Sequence, residues 1–98
     1  MKVIKRDGRI TNFDEKKIFD AINAANKTLE KEKRITEQQI MDVVSWIMKK
    51  IPKAKEEISV EEIQDLVEDG LVHKNHTEVV RNYIKYRDER QKERLKKL

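Results

Sequence analysis

Apolar residues recur at helical spacing in four separate stretches of the chain. In the first stretch they fall at offsets of 4, 7 and 11 residues, at Ile18, Ile22, Ala25 and Leu29. The second stretch runs from Ile40 to Ile51 and stops at Pro52, and residues 63–71 and 79–84 repeat the pattern. Because such offsets place side chains on one face of a helix, the pattern predicts four amphipathic helices that share one core.

Polar residues that cap helices stand before three of these stretches. Asp14 precedes the first helix as a candidate N-cap. Thr36 with Gln39, and Ser59 with Glu62, match the capping box, in which two side chains satisfy free backbone N–H groups at a helix start. These residues predict where the first three helices begin.

The segment before the first helix has the pattern of a β-hairpin. Val3-Ile4-Lys5 and Arg9 to Phe13 flank the dipeptide Asp7-Gly8, and glycine tolerates the positive φ that such turns require. We expect a short third strand at Ile58-Ser59. The predicted fold class is therefore α+β and mostly helical, a four-helix bundle capped by a hairpin or a small three-stranded antiparallel sheet.

Gly70 lies inside the third predicted helix. In a helix interior glycine is roughly 1 kcal/mol less favourable than alanine. Two interpretations stay open: another element approaches so closely that only glycine fits, or this turn of the helix is weak.

The composition excludes several classes of protein. The 98 residues suffice for one domain, and 43% of them are charged. The absence of cysteine excludes a disulfide framework, a cysteine-based zinc site, an iron–sulfur cluster and a thiol nucleophile in this chain. No apolar run approaches the roughly 18 residues of a membrane helix, and we expect a cytoplasmic protein without a membrane partner.

The net charge of +4 is unevenly distributed. Residues 1–17 carry six basic and three acidic side chains, residues 18–80 carry nine and thirteen, and residues 81–98 carry eight and three. The two ends are therefore positive and the middle is negative. If the fold brings the ends together, their joint field would favour phosphate or nucleic acid.

The sequence contains neither a P-loop nor a glycine-rich dinucleotide-binding motif, because its only glycines are Gly8 and Gly70. A hairpin laid over helix N-termini could bind an anion instead, with Lys5, Arg6 and Lys17 supplying charge. The alternative is that these basic residues are ordinary solvated surface, and charge alone favours that alternative.

Two further groups of residues have a functional and an ordinary interpretation. Asp65, Glu68 and Asp69 could accompany a nucleotide through Mg²⁺ if they faced it, but solvated surface is the expectation. Tyr83 and Arg87 share a helix face that could stack on a base and pair with a phosphate, or simply edge the core. The sequence gives no support for nucleophilic catalysis, because no Ser, Thr or Tyr is accompanied by His and Asp at the spacing of a recognisable catalytic triad.

Three segments taken together resemble a known family. VIKRDGRITNFDEKKIFDAI, ISVEEIQDLVE and YIKYRDER occur in the order and spacing of the ATP-cone, the regulatory domain at the N-terminus of many ribonucleotide reductases. IQDLVE followed by YIKYRDER is most similar to the anaerobic, glycyl-radical type. The resemblance implies an ATP-cone over residues 1–90, followed by a charged helical extension over residues 91–98.

The resemblance also implies a function. The domain would bind ATP or dATP, with Mg²⁺, away from a catalytic site and without catalysis of its own. ATP would leave the reductase active and dATP would switch it off, commonly through a change of oligomeric state. The implied partners are an adenine nucleotide, the catalytic part of a reductase and further copies of the chain.

The family's nucleotide contacts can be carried over residue by residue. Lys5 and Arg6 would contact phosphates, and Lys17 the ribose or phosphates. Val3 would line the adenine pocket. Further contacts to the base would come from the segment Thr11, Asn12, Phe13 and Asp14, and contacts from across the cleft would come from Gln64 and Arg87.

Two other functions compete with this interpretation. The first is the cone of a transcriptional repressor of reductase operons, but such repressors add a cysteine-rich zinc ribbon, and this chain has no cysteine. The second is a small basic helical module that binds nucleic acid through its positive C-terminal segment. The mixed charge of that segment makes nucleic acid an unexpected partner.

Overall fold

The computed structural model describes residues 1–96. Its strands are β1 (Lys2–Ile4), β2 (Ile10–Asn12) and β3 (Glu57–Ser59). Its helices are α1 (Glu15–Lys27), α2 (Glu37–Lys50), α3 (Val60–His73) and α4 (Thr77–Lys96), with a single 3₁₀ turn over Lys31–Lys33. The predicted α+β class, mostly helical with a small sheet, is confirmed.

The sheet is mixed, so the antiparallel detail of the prediction is wrong. The strand order is β2-β1-β3, with β1 antiparallel to β2 and parallel to β3. Val3 is opposite Thr11 on one side and Ile58 on the other. The chain passes through α1 and α2 before it returns to the sheet, and such a long crossover allows a strand to enter parallel to its neighbour.

The turn between β1 and β2 has the geometry that Asp7-Gly8 predicts. The Lys5 N–H donates to the Arg9 carbonyl at 2.8 Å, and the Gly8 N–H donates to the Lys5 carbonyl at 2.9 Å. Gly8 has a φ of 86°, where a side chain would be strained. The Arg9 N–H donates to the Asp7 carboxylate, and this bond lowers the pKa of Asp7 below its usual value. The turn therefore presents the side chains of residues 5–9 in a fixed loop.

The predicted caps occupy the helix starts. Asp14 accepts a hydrogen bond from the Lys16 N–H, and Ser59 accepts one from the Glu62 N–H. Thr36 forms the full capping box with Gln39, whereas the box predicted at Ser59 is incomplete because the Glu62 side chain pairs with Lys55 instead of the Ser59 backbone. Each cap satisfies a backbone donor that has no partner within its helix, and together these caps fix where α1, α2 and α3 begin.

The four helices bury one apolar core beneath the sheet. Its fully buried side chains come from all four helices: Ile22, Ile40, Val43, Ile47, Val67, Leu71 and Val79. Val3 and Ile58 point from the sheet into the same cluster. Helix α1 packs on α2 and α4, and α3 packs on the same two helices. The sheet is therefore anchored to the helical bundle through Val3 and Ile58.

The α2–α3 packing explains Gly70. A Cβ atom at this position would lie 3.1 Å from the Trp46 ring and 3.2 Å from a methyl group of Val43. Of the two interpretations of this glycine, the close approach is therefore the one that the structure shows.

Helix α4 continues through the charged C-terminal segment. The extension predicted for residues 91–98 is helical as far as Lys96, and residues 97 and 98 lie outside the described part of the chain. Within that described part, no helix is long and apolar enough to cross a membrane.

Candidate functional site

A cleft of about 210 Å³ lies between the hairpin, α1 and α3. Eight of the ten residues predicted to contact nucleotide line this cleft: Val3, Lys5, Thr11, Asn12, Phe13, Asp14, Lys17 and Gln64. They come from β1, β2, the start of α1 and the second turn of α3. The fold therefore brings together residues that are up to 61 positions apart in the sequence.

Apolar residues that the sequence analysis did not assign to the site form the cleft's inner wall. They are Ile18 and Ala21 from α1, Val60, Ile63 and Val67 from α3, and Tyr83 from α4. Their helical spacing indicates core, and Ile18 and Val67 are indeed buried in it. Sequence spacing cannot distinguish a core residue from one that closes a cleft at the core's edge. An apolar wall with a few polar groups at its rim is typical of a small-molecule site.

Tyr83 lines the cleft from α4 and is 5% exposed. Burial raises the pKa of its hydroxyl to about 12. A tyrosine is neutral at physiological pH even without this shift, so Tyr83 adds no charge to the cleft.

A basic groove of about 780 Å³ continues outward from the cleft. Lys5, Lys17 and Gln64 line both spaces, so that one leads into the other. The groove adds Arg6 and Arg9 from the turn, and Arg90 and Gln91 from α4. The fold thus brings the two positive ends of the chain together, as the charge distribution suggested. Arg90 is not among the residues that the sequence analysis assigned to the site.

Two helix N-termini border these spaces. Asp14 and Lys17, at the start of α1, line the cleft, and Val60, the first residue of α3, lines both the cleft and the groove. Free N–H groups and the helix dipole give each helix start partial positive charge. This charge adds to that of the lysines and arginines, and the arrangement suits a phosphate-bearing ligand.

Arg6 contacts α3 rather than the cleft. Its Nη2 donates to Gln64 Oε1 at 3.0 Å, and its Nε lies 2.7 Å from Glu61 Oε1. The Arg6 side chain is 21% exposed and faces the outer groove. This arginine ties the hairpin turn to the first two turns of α3.

Arg87 is paired with carboxylates of α3. Its Nη1 donates to Asp65 at 3.1 Å and also to Glu68. Burial opposes its charge, but the two carboxylates outweigh burial and the pKa of Arg87 lies above its usual value. Arg87 lies beside Arg6 and Gln64 in a hollow of about 70 Å³. In this conformation Arg87 is paired with α3. Two of the three acidic residues that were expected to be solvated, Asp65 and Glu68, are therefore ion-pair partners of Arg87.

A cluster of metal-binding side chains could hold a Mg²⁺ ion that accompanies a nucleotide. Within residues 1–96, no group of three or more His, Cys, Asp or Glu side chains is placed to hold a metal ion. Asp65 and Glu68 are engaged with Arg87, as described above. A Mg²⁺ ion at this site would therefore depend on oxygen ligands from a nucleotide and from water.

A second groove, of about 630 Å³, lies between α1 and α2. Phe19, Met41 and Met48 line it, with Lys16 and Lys49 at its edge. It is larger than the cleft, but none of the residues that line it belongs to the hairpin or to α3. The cleft combines apolar walls, carboxamides, lysines and two helix starts, and is therefore the better candidate for a specific site.

Comparisons with known proteins identify the family. Residues 1–92 match the family model of the ATP cone domain. The chain is 38% identical over 94 residues to the vitamin B12-dependent ribonucleoside-diphosphate reductase of Thermoplasma acidophilum, a match that covers 91% of this chain and 12% of the reductase. It is 34% identical over 95 residues to the anaerobic ribonucleoside-triphosphate reductase of Haemophilus influenzae, covering 97% of this chain and 13% of that protein.

A repressor is also among the relatives. The chain is 37% identical over 68 residues to the transcriptional repressor NrdR of Chlamydia felis, covering 68% of this chain and 42% of the repressor. The chain thus spans about an eighth of the reductases' length and less than half of the repressor's. The resemblance drawn from the three sequence segments is confirmed. The chain belongs to the ATP-cone family, the nucleotide-binding regulatory domain of ribonucleotide reductases and related proteins.

Proposed function

We propose that this chain is the allosteric ATP- and dATP-binding domain of a ribonucleotide reductase. The observation that carries the proposal is the continuity of the apolar cleft with the basic groove. A nucleotide has the same two-part chemistry, a flat apolar base and a charged phosphate chain. The domain itself performs no reaction, and its effect on catalysis passes to the catalytic part of the enzyme.

The residues of the cleft would bind the adenine base. Val3, Ile63 and Phe13 would pack against adenine. The backbone and side chains from Thr11 to Asp14 would hydrogen-bond its polar edge, and this edge distinguishes adenine from guanine.

The residues of the groove would neutralise the phosphates. Lys5 and Lys17 lie where the cleft opens into the groove, and Arg6 lies farther out. Gln64 lines both spaces and would contact the ligand from α3. Arg87 would join only after leaving Asp65 or Glu68. Mg²⁺ would enter with the phosphates rather than bind to the protein first.

More specifically, we propose that the chain belongs to a cytoplasmic, anaerobic reductase of the glycyl-radical type. This assignment is supported by the segments IQDLVE and YIKYRDER and by the match to the Haemophilus influenzae enzyme. We propose that residues 1–90 form the cone, that the charged end of α4 continues toward the catalytic part, and that ATP and dATP act through self-association of the enzyme.

Calorimetric titration of the chain with ATP tests this function. Lys5→Ala should weaken ATP binding by about ten- to a hundredfold, because a charge-assisted hydrogen bond contributes about 1.5–3 kcal/mol. Lys49→Ala is the matched control, since Lys49 is also a lysine but lines the α1–α2 groove. Unchanged binding in Lys5→Ala, or an equal loss in Lys49→Ala, would show that the nucleotide binds elsewhere.

A second candidate is the cone of a reductase-operon repressor, and the similarity to the Chlamydia felis protein favours it. Both functions use the same cleft, and they differ in the segment attached to it. The intact mass and sequence of the protein isolated from its source would decide between them: a reductase requires a large catalytic part, whereas a repressor of this kind requires a cysteine-rich zinc ribbon.

A further inference from the structure

Glu61 stands beside the guanidinium of Arg6, a residue that we propose contacts the phosphates of the ligand. Its Oε1 lies 2.7 Å from Arg6 Nε. Nη2 of the same guanidinium is hydrogen-bonded to Gln64. Both acceptors belong to α3, and the arginine belongs to the turn between β1 and β2.

The contact between Glu61 and Arg6 compensates the charge of both side chains but leaves one N–H donor of Arg6 without an acceptor. Arg6 Nε is buried and close to the Glu61 carboxylate, but the angle of its N–H is too poor for a hydrogen bond. This N–H therefore has no hydrogen-bond acceptor among the residues that the structure describes. A buried donor without an acceptor is unfavourable, and a well-oriented anion could relieve it. The ion pair is therefore a poor match to a guanidinium, which prefers to bind oxygens in its own plane.

The two partners differ in how readily they can leave the contact. The Glu61 side chain is 47% exposed, so it can swing into water at little loss. The Arg6 side chain is 21% exposed and is held by Gln64 as well. The other carboxylate at the turn, Asp7, is engaged with Arg9 at 2.7 Å. Glu61 is thus the acidic group that an incoming anion would displace.

We propose that Glu61 is an affinity-setting residue that competes with the ligand's phosphates for Arg6. In the domain without a ligand, Glu61 forms an ion pair with the Arg6 guanidinium. A ligand gains the full contribution of Arg6 only after Glu61 has moved away. The competition raises the nucleotide concentration at which the domain responds. This inference rests on the proposed nucleotide-binding function.

Replacement of the carboxylate by a neutral group tests the competition. Glu61→Gln should tighten ATP binding by about three- to tenfold in calorimetry, as expected when one partly exposed competing charge is removed. Binding of adenosine, which has no phosphate, should stay unchanged. Glu61→Ala should act in the same direction and serves as a second variant.

Glu62→Gln is the matched control. Glu62 is the next residue, lies in the same first turn of α3, and pairs with Lys55 at 3.3 Å rather than with Arg6. Its replacement should leave ATP affinity as in the wild type. A second control is Glu61→Gln in an Arg6→Ala background, where the tightening should vanish because there is no guanidinium left to compete for.

Each contrary result has a distinct meaning. If the wild-type chain binds no ATP, the proposed function fails, and this inference fails with it. If the wild type binds ATP but Glu61→Gln binds it equally or more weakly, the inference alone is overturned, and Glu61 instead positions Arg6. A tightening that extends to adenosine, or that persists without Arg6, would also overturn it.

Discussion

Substitution of Gly70 by alanine tests the packing that carries one wall of the cleft. Gly70 is buried in α3, where that helix meets α2. The new Cβ would lie 3.1 Å from the Trp46 ring, 3.2 Å from Val43 Cγ1 and 3.4 Å from Ile47 Cγ1. The first two distances are shorter than ordinary carbon–carbon contacts, so neighbouring groups must move.

Two opposing effects determine the outcome. Alanine improves the intrinsic stability of a helix interior by about 1 kcal/mol relative to glycine. Overfilling a packed core costs about 1–3 kcal/mol. Val43 and Ile47 are fully buried and have little room. Trp46 has more freedom, but it stacks on His73 with ring centres 5.2 Å apart. We therefore expect Gly70→Ala to lower the free energy of unfolding by about 1 kcal/mol net.

Urea denaturation followed by fluorescence measures this change, because Trp46 is the only tryptophan in the chain. The matched control is Val43→Ala, which removes both methyl groups of Val43, including the crowded Cγ1. In that background Gly70→Ala should become neutral or stabilising, and the two substitutions should show a coupling energy of at least about 1 kcal/mol. If Gly70→Ala stabilises the unaltered chain by the full amount that helix propensity predicts, the close approach does not constrain this position, and the reasoning is wrong.

Three further predictions concern the scaffold of the site. Asn26→Ala should destabilise the chain by about 2–3 kcal/mol in the same urea assay, because the Asn26 carboxamide bonds both the N–H and the carbonyl of Ile35 at 2.9 and 2.8 Å; a loss below half of that would contradict it. Thr36→Ala should cost about 1 kcal/mol through the lost capping box with Gln39, and no loss would show that the cap is dispensable. Tyr83 has its pKa raised to about 12 by burial. Since the unfolded chain releases this proton near pH 10, the stability of the wild type should fall relative to Tyr83→Phe between pH 10 and 12, by at most about 1.4 kcal/mol per pH unit; parallel profiles for the two proteins would refute the burial argument.

The sequence predicts local structure well where a single residue type has one physical role. Asp7-Gly8 specifies a turn with positive φ, and Asp14 and Thr36 specify helix starts. Pro52 follows the end of α2 because it cannot continue a helix. These features depend on contacts within a few residues, and a single sequence contains all the information that they need.

The sequence does not predict features that depend on how distant elements meet. The parallel entry of β3 follows from the route of the chain through two helices, and no residue of Glu57–Ser59 specifies it. The pairing of Arg87 with Asp65 and Glu68 depends on the rotation of α4 against α3. The contact between Glu61 and Arg6 depends on how the hairpin sits over the bundle.

The candidate site falls between these two cases. Its members on the hairpin and at the start of α1 lie close together in sequence, and the family resemblance identified them as a group. Ile63 and Val67 also line the cleft, but their spacing is that of a core helix face. Local patterns alone could not assign them to a site.

Nuclear magnetic resonance of the isotopically labelled chain, titrated with ATP, would locate the bound nucleotide on the protein. We expect the backbone amide shifts to change most over residues 3–17 and 60–67, with dATP producing the same pattern and GTP producing little change. Residues 41–49, which line the second groove, should move least. Shifts concentrated in residues 41–49, or a spectrum unaffected by either adenine nucleotide, would contradict the assignment of the cleft as the nucleotide site.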